Sequence, residues 1–203
     1  MSTDALGALL VAVGYLSGSV PYGLVLSRLF LGVDVRTVGS GNIGGTNVAR
    51  VNKKLGVATI VLDILKAVIP LLVAQRILAG APHHDFWVMA VAIAAFVGHV
   101  YPVWLGFKGG KGVASAFGVY LVLAPPLALL GVVTWAGTAL LTRMSSLGSL
   151  LGTIVFVVGM LATRGPAHPL TWSTIVVAAL IFWRHRENIR RILSGEEKKR
   201  MKV

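Results

Sequence analysis

Long apolar stretches constrain this sequence more than any other feature. They recur from the N-terminal region to Trp183, with only short polar segments between them. Hydrophobic residues make up 56% of the chain and charged residues 13%, and the mean hydropathy is +0.81. This exceeds what a soluble domain needs to fill its core. Because a chain in the bilayer must satisfy its own backbone hydrogen bonds, the sequence predicts an all-α integral membrane protein.

We predict about seven transmembrane helices, some of them short. Pro21 lies within the first apolar run, where its missing N–H and the neighbouring glycines predict a kink or a helix end. Pro125 and Pro126 divide a later run, because a helix does not continue through a proline pair. The predicted spans are residues 5–26, 55–78, 86–105, 113–141 (two spans, divided at the prolines), 147–162 and 170–183.

Basic residues predict the orientation of these helices. All but three of the 19 Lys and Arg residues follow the first, third and fifth spans or lie in the C-terminal tail; the exceptions are Lys66, Arg76 and Arg164. By the positive-inside rule these segments are cytoplasmic, so the N-terminus is predicted outside and the C-terminus in the cytoplasm. Orientation accounts for the net charge of +12. We therefore expect the lipid bilayer, and no nucleic acid, as a partner.

The same pattern predicts one transmembrane helical domain over residues 1–195 and a charged, solvated cytoplasmic tail over residues 196–203. Four polar segments are predicted to face the cytoplasm: residues 28–54, 106–112, 142–146 and 184–193. They could therefore line one site at the inner membrane surface. The chain has no cysteine, which excludes disulfides, thiolate nucleophiles and zinc sites with sulfur ligands.

The segment from Val38 to Arg50 is rich in glycine and short polar side chains. Glycine lets backbone N–H groups approach a ligand closely, and Ser, Thr and Asn add hydrogen-bonding groups, so this composition suits an anion-binding nest. The glycine spacing also matches a dinucleotide-binding pattern, but no apolar strand precedes it, and we reject that interpretation. The candidate binding residues are Gly39, Ser40, Gly41, Asn42, Gly44, Thr46, Asn47 and Arg50.

A second glycine-rich loop runs from Gly106 to Gly112 and contains Lys108 and Lys111. It resembles a nucleotide phosphate loop, except that Gly112 follows Lys111 where that motif requires Ser or Thr. Either loop alone is consistent with flexible linkage between helices. Two such loops on one face, each with basic residues, favour a phosphate or carboxylate site.

Two pairs of residues leave alternatives open. Asp63 and Lys66 lie three residues apart on one face of the second span, where they could form an ion pair that locks helices together or present Lys66 to a ligand. His185 and Asn188 share one face of a short helix after the last span. For this pair, a role in a site and an ordinary position at the membrane surface are both open.

Six segments taken in order carry a resemblance that none of them carries alone. They are Gly18 to Gly23, Gly39 to Asn47, Asp63 to Lys66, Gly98 to Ala114, Arg143 to Leu147 and His185 to Arg190. In these segments the chain resembles the bacterial acyl-phosphate:glycerol-3-phosphate acyltransferase family, and the resemblance covers nearly its whole length.

The resemblance implies a multi-span inner-membrane enzyme of phospholipid biosynthesis. Such an enzyme transfers a fatty acyl group from acyl phosphate to glycerol 3-phosphate, giving lysophosphatidic acid and phosphate. The resemblance also implies that neither acyl-CoA nor acyl carrier protein is the donor, and we expect no cofactor or metal ion. The alternative is a small membrane transporter of a phosphorylated or anionic metabolite. Transporter sites lie near the bilayer midplane, whereas the polar motifs here gather at one face.

By the same resemblance, the residues are divided between two phosphate-bearing substrates, and the two assignments are interchangeable. Those assigned to the phosphoryl group of acyl phosphate are Ser40, Asn42 and Asn47, with Lys108 and Lys111 supplying charge nearby. Those assigned to glycerol 3-phosphate are Arg50, Arg143, Ser146, His185 and Asn188. The predicted catalytic residues are Ser40, Lys108, His185 and Asn188. Because acyl phosphate is already activated, we expect direct transfer without an acyl-enzyme, with the leaving phosphate or His185 accepting the hydroxyl proton.

Overall fold

The computed structural model describes residues 1–197 of the 203-residue chain, and its regular secondary structure in that range is entirely helical. Two short 3-10 helices, Val35–Thr37 and Val103–Leu105, lie in polar connections. The α-helices are α1 (Thr3–Ser19), α2 (Tyr22–Leu31), α3 (Gly45–Val48), α4 (Lys53–Ile77), α5 (His84–Val100), α6 (Val113–Leu123), α7 (Pro125–Thr142), α8 (Ser145–Arg164), α9 (Pro169–Arg184) and α10 (Arg186–Leu193). Residues 198–203 of the predicted tail lie outside the described residues.

Both breaks predicted at proline are confirmed. α1 ends at Ser19, and α2 begins directly after Pro21. α6 ends at Leu123, and α7 begins with the prolines at positions 125 and 126 in its first turn. Proline is accepted there because the first N–H groups of a helix have no partner within the helix.

Among residues 1–197, five helical segments are long and apolar enough to cross a membrane: Thr3–Leu31, Lys53–Ile77, His84–Leu105, Pro125–Thr142 and Ser145–Arg164. Two shorter apolar helices, Val113–Leu123 and Pro169–Arg184, lie where the fourth and the seventh spans are predicted. Many large apolar side chains on these helices are exposed, as is expected for a surface that faces lipid. The prediction of an all-α integral membrane protein is confirmed. The exact number of crossings and their orientation stay predictions.

The chain divides into two compact units, Met1–Val122 and a second unit that begins at Leu123. The single domain predicted over residues 1–195 stays a prediction. In the first unit α1 and α5 run parallel, since Gly7 lies against Trp87 and Gly18 against Ala95. α4 runs antiparallel to both, because Ser17 near the end of α1 donates to the carbonyl of Lys66, whereas Leu10 packs against Ala74. Both glycine-rich segments therefore lie at the same end of this unit.

In the second unit α7 and α8 form an antiparallel hairpin. A Cβ on Gly148 would lie 2.6 Å from the carbonyl oxygen of Trp135, so only glycine permits this close approach of the two helices. α9 packs against α8 and leads through His185 directly into α10. The start of α8 and the short helix α10 lie at the same end of this unit, where they share a polar cluster.

Candidate active site

The first polar cluster is built by the loop from Val38 to Arg50. Gly39 and Gly41 adopt left-handed backbone conformations, with φ of 61° and 68°, which glycine accepts without a steric cost. They flank Ser40, which is exposed and whose backbone N–H donates to the side-chain oxygen of Asn47 at 2.9 Å. The glycine turn therefore holds the Ser40 hydroxyl at the surface of the first unit.

Asn47 organises this loop from the inside. The residue is 2% exposed, and its side-chain oxygen accepts hydrogen bonds from the Ser40 backbone and, at 2.7 Å, from the Arg50 guanidinium. Its amide nitrogen lies 2.9 Å from the backbone carbonyl oxygens of Val35, Val38 and Asn42. One side chain therefore fixes the fold of the loop and holds the exposed Arg50 beside the glycine turn.

The structure places Asn47 inside this loop. The sequence predicts that Asn47 contacts a phosphoryl group, whereas in the structure its side-chain oxygen and nitrogen are both engaged within the loop. A contact between Asn47 and substrate stays a prediction. The sequence could not show this burial, because a buried Asn and a surface Asn have the same chemical signature.

Asn42 is partly exposed, and its side-chain oxygen accepts the N–H of Gly44 at 2.9 Å in a local turn before α3. Thr46 is exposed on α3.

Asp34 neutralises part of the positive charge that precedes the glycine turn. Its carboxylate lies 2.7 Å from the guanidinium of Arg28 and 2.6 Å from that of Arg36. Hydrogen bonds from Arg36 hold the pKa of the Asp34 carboxyl well below its usual range, so this carboxyl is ionised at neutral pH. Arg50 is consequently the basic residue that the loop itself holds at the glycine turn.

The second glycine-rich loop is attached to the end of α5. Gly109 and Gly110 are buried, and their N–H groups donate to the carbonyl oxygens of Val100 and His99, each at 3.1 Å. Lys108, immediately before them, is exposed, and Lys111, immediately after them, is half-buried. The backbone of the loop is thus held inward while its first lysine projects outward.

An apolar cluster connects the two loops of the first unit. Leu105, just before the second loop, packs against a buried set of apolar side chains. That set includes Val35, Ile43 and Val48 from the first loop region and Leu24 from α2. One small core therefore supports Ser40, Arg50 and the second glycine-rich loop, Gly106 to Gly112, which we call the lysine loop. All of them lie at the same end of the unit.

Lys66 lies beneath these loops and is not exposed at the surface. Its ammonium is 2.7 Å from the carboxylate of Asp63 and donates to the carbonyl oxygen of Val20 at 2.8 Å. The side chains of Lys66 and Asp63 are 2% and 4% exposed. Of the two alternatives that the sequence leaves open, this geometry matches the ion pair that locks helices together, since the pair lies within α4 and Lys66 also binds the carbonyl at the end of α1. A contact between Lys66 and substrate stays a prediction.

The second unit brings Ser146 and Asn188 together on one carboxylate. The Ser146 hydroxyl donates to Glu197 Oε1 at 2.6 Å, and the Asn188 amide donates to the same oxygen at 2.8 Å. Arg191 Nε donates to Glu197 Oε2 at 2.8 Å. Two residues predicted to bind an anion are thus neighbours, and they already face an anionic group of the protein itself.

Glu197 belongs to this cluster, although its sequence position does not predict a place there. Gly195, with φ of 72°, lies just past the end of α10, and the N–H groups of Glu196 and Glu197 then donate to the carbonyl oxygen of Arg191. Glu197 is therefore partly buried, whereas Gly195 and Glu196 are exposed as predicted. A glycine just past a helix is the available signal for such a reversal, but it does not show which of the two glutamates turns inward.

Burial and hydrogen bonding act in opposite directions on the Glu197 carboxyl. Partial burial works to raise its pKa, but hydrogen bonds from Ser146, Arg191 and Asn188 together outweigh burial and hold the pKa below its ordinary value. The carboxylate is therefore ionised at neutral pH, when it accepts all three hydrogen bonds.

His185 lies at the junction of α9 and α10 and is 1% exposed. Its Nδ1 is 2.8 Å from the carbonyl oxygen of Ile181. Since a carbonyl oxygen only accepts, Nδ1 carries the proton, and Nε2 is then the basic nitrogen of the neutral ring.

Arg143 is exposed, and its φ of 60° ends α7 just before α8 begins. Within residues 1–197, no group of three His, Asp or Glu side chains is placed to hold a metal ion.

Comparisons with known proteins place these clusters in a family. A family model described as glycerol-3-phosphate acyltransferase matches residues 8–195. The glycerol-3-phosphate acyltransferase of Anaeromyxobacter dehalogenans strain 2CP-1 is 64% identical over 200 residues, which cover 98% of this chain and 100% of the relative. That of Myxococcus xanthus strain DK1622 is 46% identical over 191 residues, covering 94% and 97% of the two chains.

Solved structures agree with this assignment. The crystal structure of PlsY, an integral membrane glycerol 3-phosphate acyltransferase, in its glycerol 3-phosphate form is 42% identical to this chain, with a TM-score of 0.87 and coverage of 95% of this chain and 94% of that one. The lysophosphatidic acid form is 41% identical, with a TM-score of 0.85 and the same coverage. These matches favour an acyltransferase over the transporter alternative. The chain is a multi-pass membrane protein that belongs to the glycerol-3-phosphate acyltransferase family.

Proposed function

We propose that this protein transfers a fatty acyl group from acyl phosphate to a hydroxyl of glycerol 3-phosphate, and that it releases lysophosphatidic acid and phosphate. We place the reaction at the cytoplasmic face of the bacterial inner membrane, because the basic segments gather on the side that the positive-inside rule assigns to the cytoplasm. In the reaction that we propose, neither acyl-CoA nor acyl carrier protein is the acyl donor.

The arrangement of Ser40, Asn47 and Arg50 carries the proposal. An exposed hydroxyl and a guanidinium are both held through one buried amide oxygen, at the end of a unit whose outer surface is apolar. Acyl phosphate has an anionic head and an apolar chain, so its head suits the charged donors and its chain suits the adjoining lipid. Arginine is favoured for phosphate binding because its donors match phosphate geometry.

The proposed reaction is a direct transfer. A hydroxyl oxygen of glycerol 3-phosphate forms a bond to the acyl carbonyl carbon, and the bond from that carbon to the phosphate oxygen breaks. The electron pair of the broken bond leaves with the phosphate. Since phosphate is a good leaving group, the protein has to supply orientation and charge stabilisation rather than a covalent nucleophile. Ser40, Arg50, Lys108 and Lys111 serve those two tasks in the first unit.

In the second unit we assign Arg143, Ser146, His185 and Asn188 to the glycerol 3-phosphate side of the reaction. The hydroxyl proton passes either to the leaving phosphate or to Nε2 of His185. The hydrogen bond from Nδ1 to the carbonyl of Ile181 supports the second route, because it fixes the ring and the tautomer. Glu197 holds the donor groups of Ser146 and Asn188 in one place before substrate arrives.

The proposal is tested with purified full-length protein, labelled glycerol 3-phosphate and one acyl donor at a time. We expect lysophosphatidic acid with acyl phosphate and none with acyl-CoA or acyl carrier protein. Ser40→Ala is expected to reduce turnover about 100- to 1,000-fold, the usual effect of removing one donor from developing charge. Thr37→Ala removes a hydroxyl that donates only to the backbone of Asp34 and is expected to leave turnover unchanged. Product from acyl-CoA alone would refute the choice of donor.

Two further measurements test whether an acyl-enzyme forms and which group accepts the hydroxyl proton. Intact-mass spectra of protein incubated with acyl phosphate alone should show no added acyl group, and an acyl adduct on Ser40 or Ser146 would exclude direct transfer. His185→Gln should lower turnover about 100- to 10,000-fold and remove a limb of the pH–rate profile if the ring accepts the proton. An unchanged rate and profile would leave the leaving phosphate as the acceptor.

A further inference from the structure

Beneath the lysine loop lies a buried group of charged and polar side chains that the proposed reaction does not use. His99, in the last turn of α5, is 4% exposed, and its Nδ1 lies 3.6 Å from Oδ1 of Asp63. The same carboxylate oxygen is 2.7 Å from the ammonium of Lys66. Lys66 in turn donates to the carbonyl of Val20 at the end of α1. The His99 ring is therefore flanked by an ion pair within α4 that is also bonded to the end of α1.

The other side of the His99 ring faces the lysine loop. A Cβ added to Gly110 would collide with Nε2 of His99, so the loop backbone lies directly on the ring. Gly110 also donates its N–H to the His99 carbonyl oxygen, and Gly109 donates to Val100. These contacts place the floor of the loop, between Lys108 and Lys111, on the last two residues of α5, with the His99 ring directly beneath Gly110.

Asp63 also fixes the chain that leaves the loop. Its backbone carbonyl accepts the hydroxyl of Ser115 in the first turn of α6, at 2.9 Å. Just before that turn, Gly112 adopts φ of 82° and lies against the ring of Phe96. One residue of α4 is thus linked to the floor of the loop through its carboxylate and to the end of the loop through its carbonyl.

We propose that His99 is a positioning residue for catalysis. Its ring, held beside the Asp63–Lys66 ion pair, supports Gly109 and Gly110 and so fixes the places from which Lys108 and Lys111 offer positive charge to phosphate. Charged groups that attract a transferring or leaving phosphate act most strongly when they are held in advance. This inference rests on the proposed function only in the identity of the anion that the lysines bind.

The test compares His99→Leu, His99→Gln and His99→Asn in the full-length protein. We expect His99→Leu to raise the KM for at least one of the two phosphate-bearing substrates about ten- to hundred-fold, as for loss of a charge-assisted contact, with a smaller change in kcat. His99→Gln should restore part of the loss, because its longer amide reaches towards the position of Nε2 beneath the loop. His99→Asn retains a nitrogen near Asp63 but leaves the floor of the loop empty, so its KM should rise.

Hydrogen exchange of the peptide covering residues 106–112 gives a second measurement that needs no activity. The amides of Gly109 and Gly110 should exchange faster in His99→Leu and His99→Asn than in the wild type. Thr59→Ala removes a buried hydroxyl on α4 that donates to the carbonyl of Leu55, and it should change neither the KM values nor the loop exchange. In protein that already carries Lys108→Ala and Lys111→Ala, His99→Leu should cause no further rise in KM.

Failure of the proposed acyl donor and failure of the role assigned to His99 give different results. Wild-type protein that makes no product from acyl phosphate refutes the proposed donor, while the exchange measurement still tests the role of His99. Slow loop exchange and unchanged KM values in folded His99→Leu and His99→Asn overturn the inference. A further KM increase from His99→Leu in the lysine-free background also overturns it, since His99 would then act independently of the lysines. If His99→Leu does not fold, the contrast between the Asn and Gln variants decides the question.

Discussion

Asn47→Asp is the most informative single change in the first polar cluster. The substitution keeps the shape of the side chain and keeps an oxygen where Ser40 and Arg50 donate. It replaces the amide nitrogen, which lies 2.9 Å from three backbone carbonyl oxygens, with another oxygen. The variant therefore removes the donors from the inside of the loop while leaving the acceptor intact.

The expected magnitude follows from these contacts. An amide nitrogen carries two hydrogens, so its approach to three carbonyls amounts to about two full hydrogen bonds. Each buried acceptor left without a donor costs about 1–3 kcal/mol, which gives about 2–6 kcal/mol before compensation. The new carboxylate also forms an ion pair with Arg50. Because Arg50 is exposed, this ion pair offsets at most about 1 kcal/mol of the loss. The remaining loss is a large part of the ~5–15 kcal/mol that stabilises an ordinary domain, so we expect the loop to open locally first.

The assay combines hydrogen exchange of residues 35–47, thermal unfolding and turnover. Asn47→Asp should accelerate exchange of the loop, lower the unfolding temperature and reduce turnover. Asn52→Asp is the matched control, because Asn52 caps α4 by accepting the N–H of Leu55 at 3.1 Å. Aspartate caps helices as well as asparagine does, and its charge is favourable at a helix N-terminus. Equal behaviour of the two variants would refute the assignment of Asn47 as the organiser of the loop.

Three other changes test the structure at separate places. Gly110→Ala places a methyl group against the ring of His99, so we expect a higher KM for a phosphate-bearing substrate, whereas an unchanged KM would show that the loop does not rest on that ring. Because the pKa of Glu197 is lowered in the folded protein, its contribution to holding the tail is complete above the ordinary value of 4.5 and is lost as the pH falls through the lower folded-state value. Limited proteolysis of the tail should therefore increase at acidic pH in the wild type and show little pH dependence in Glu197→Gln. Ser27 is fully buried, and its hydroxyl has no hydrogen-bond partner in the described part of the chain, so Ser27→Ala should leave the unfolding temperature unchanged or raise it. A fall of several degrees would reveal a partner for that hydroxyl.

Helix positions could be predicted from the sequence because they depend on local physics. Proline removes a backbone donor, so the ends at Ser19 and Leu123 were accessible from Pro21 and Pro125. The apolar runs were equally informative, since the bilayer requires the chain to satisfy its own backbone hydrogen bonds. The division into units was less accessible, because it depends on which helix faces meet rather than on where the helices begin and end.

The candidate site was only partly predictable, because residue type does not reveal burial. Ser40 and Arg50 were predicted as binding residues and are exposed, whereas Asn47 has the same polar character and is buried. The distinction arises from hydrogen bonds to backbone carbonyls five to twelve residues earlier, which depend on how the whole loop folds back on itself. Glu197 was missed for a related reason, since its three partners come together only after α10 ends and the chain reverses at Gly195.

Burial separates two kinds of polar residue in this protein, and the separation has a measurable signature. An exposed group such as Ser40 forms few contacts with the folded chain, so its loss removes an interaction with substrate and leaves the unfolding temperature nearly unchanged. A buried group such as Asn47 satisfies several backbone groups at once, so its loss lowers stability as well as activity. Substitutions should therefore fall into two classes when turnover is plotted against unfolding temperature. If Ser40→Ala lowered the unfolding temperature as much as Asn47→Asp, the division between substrate contacts and loop organisers would be wrong.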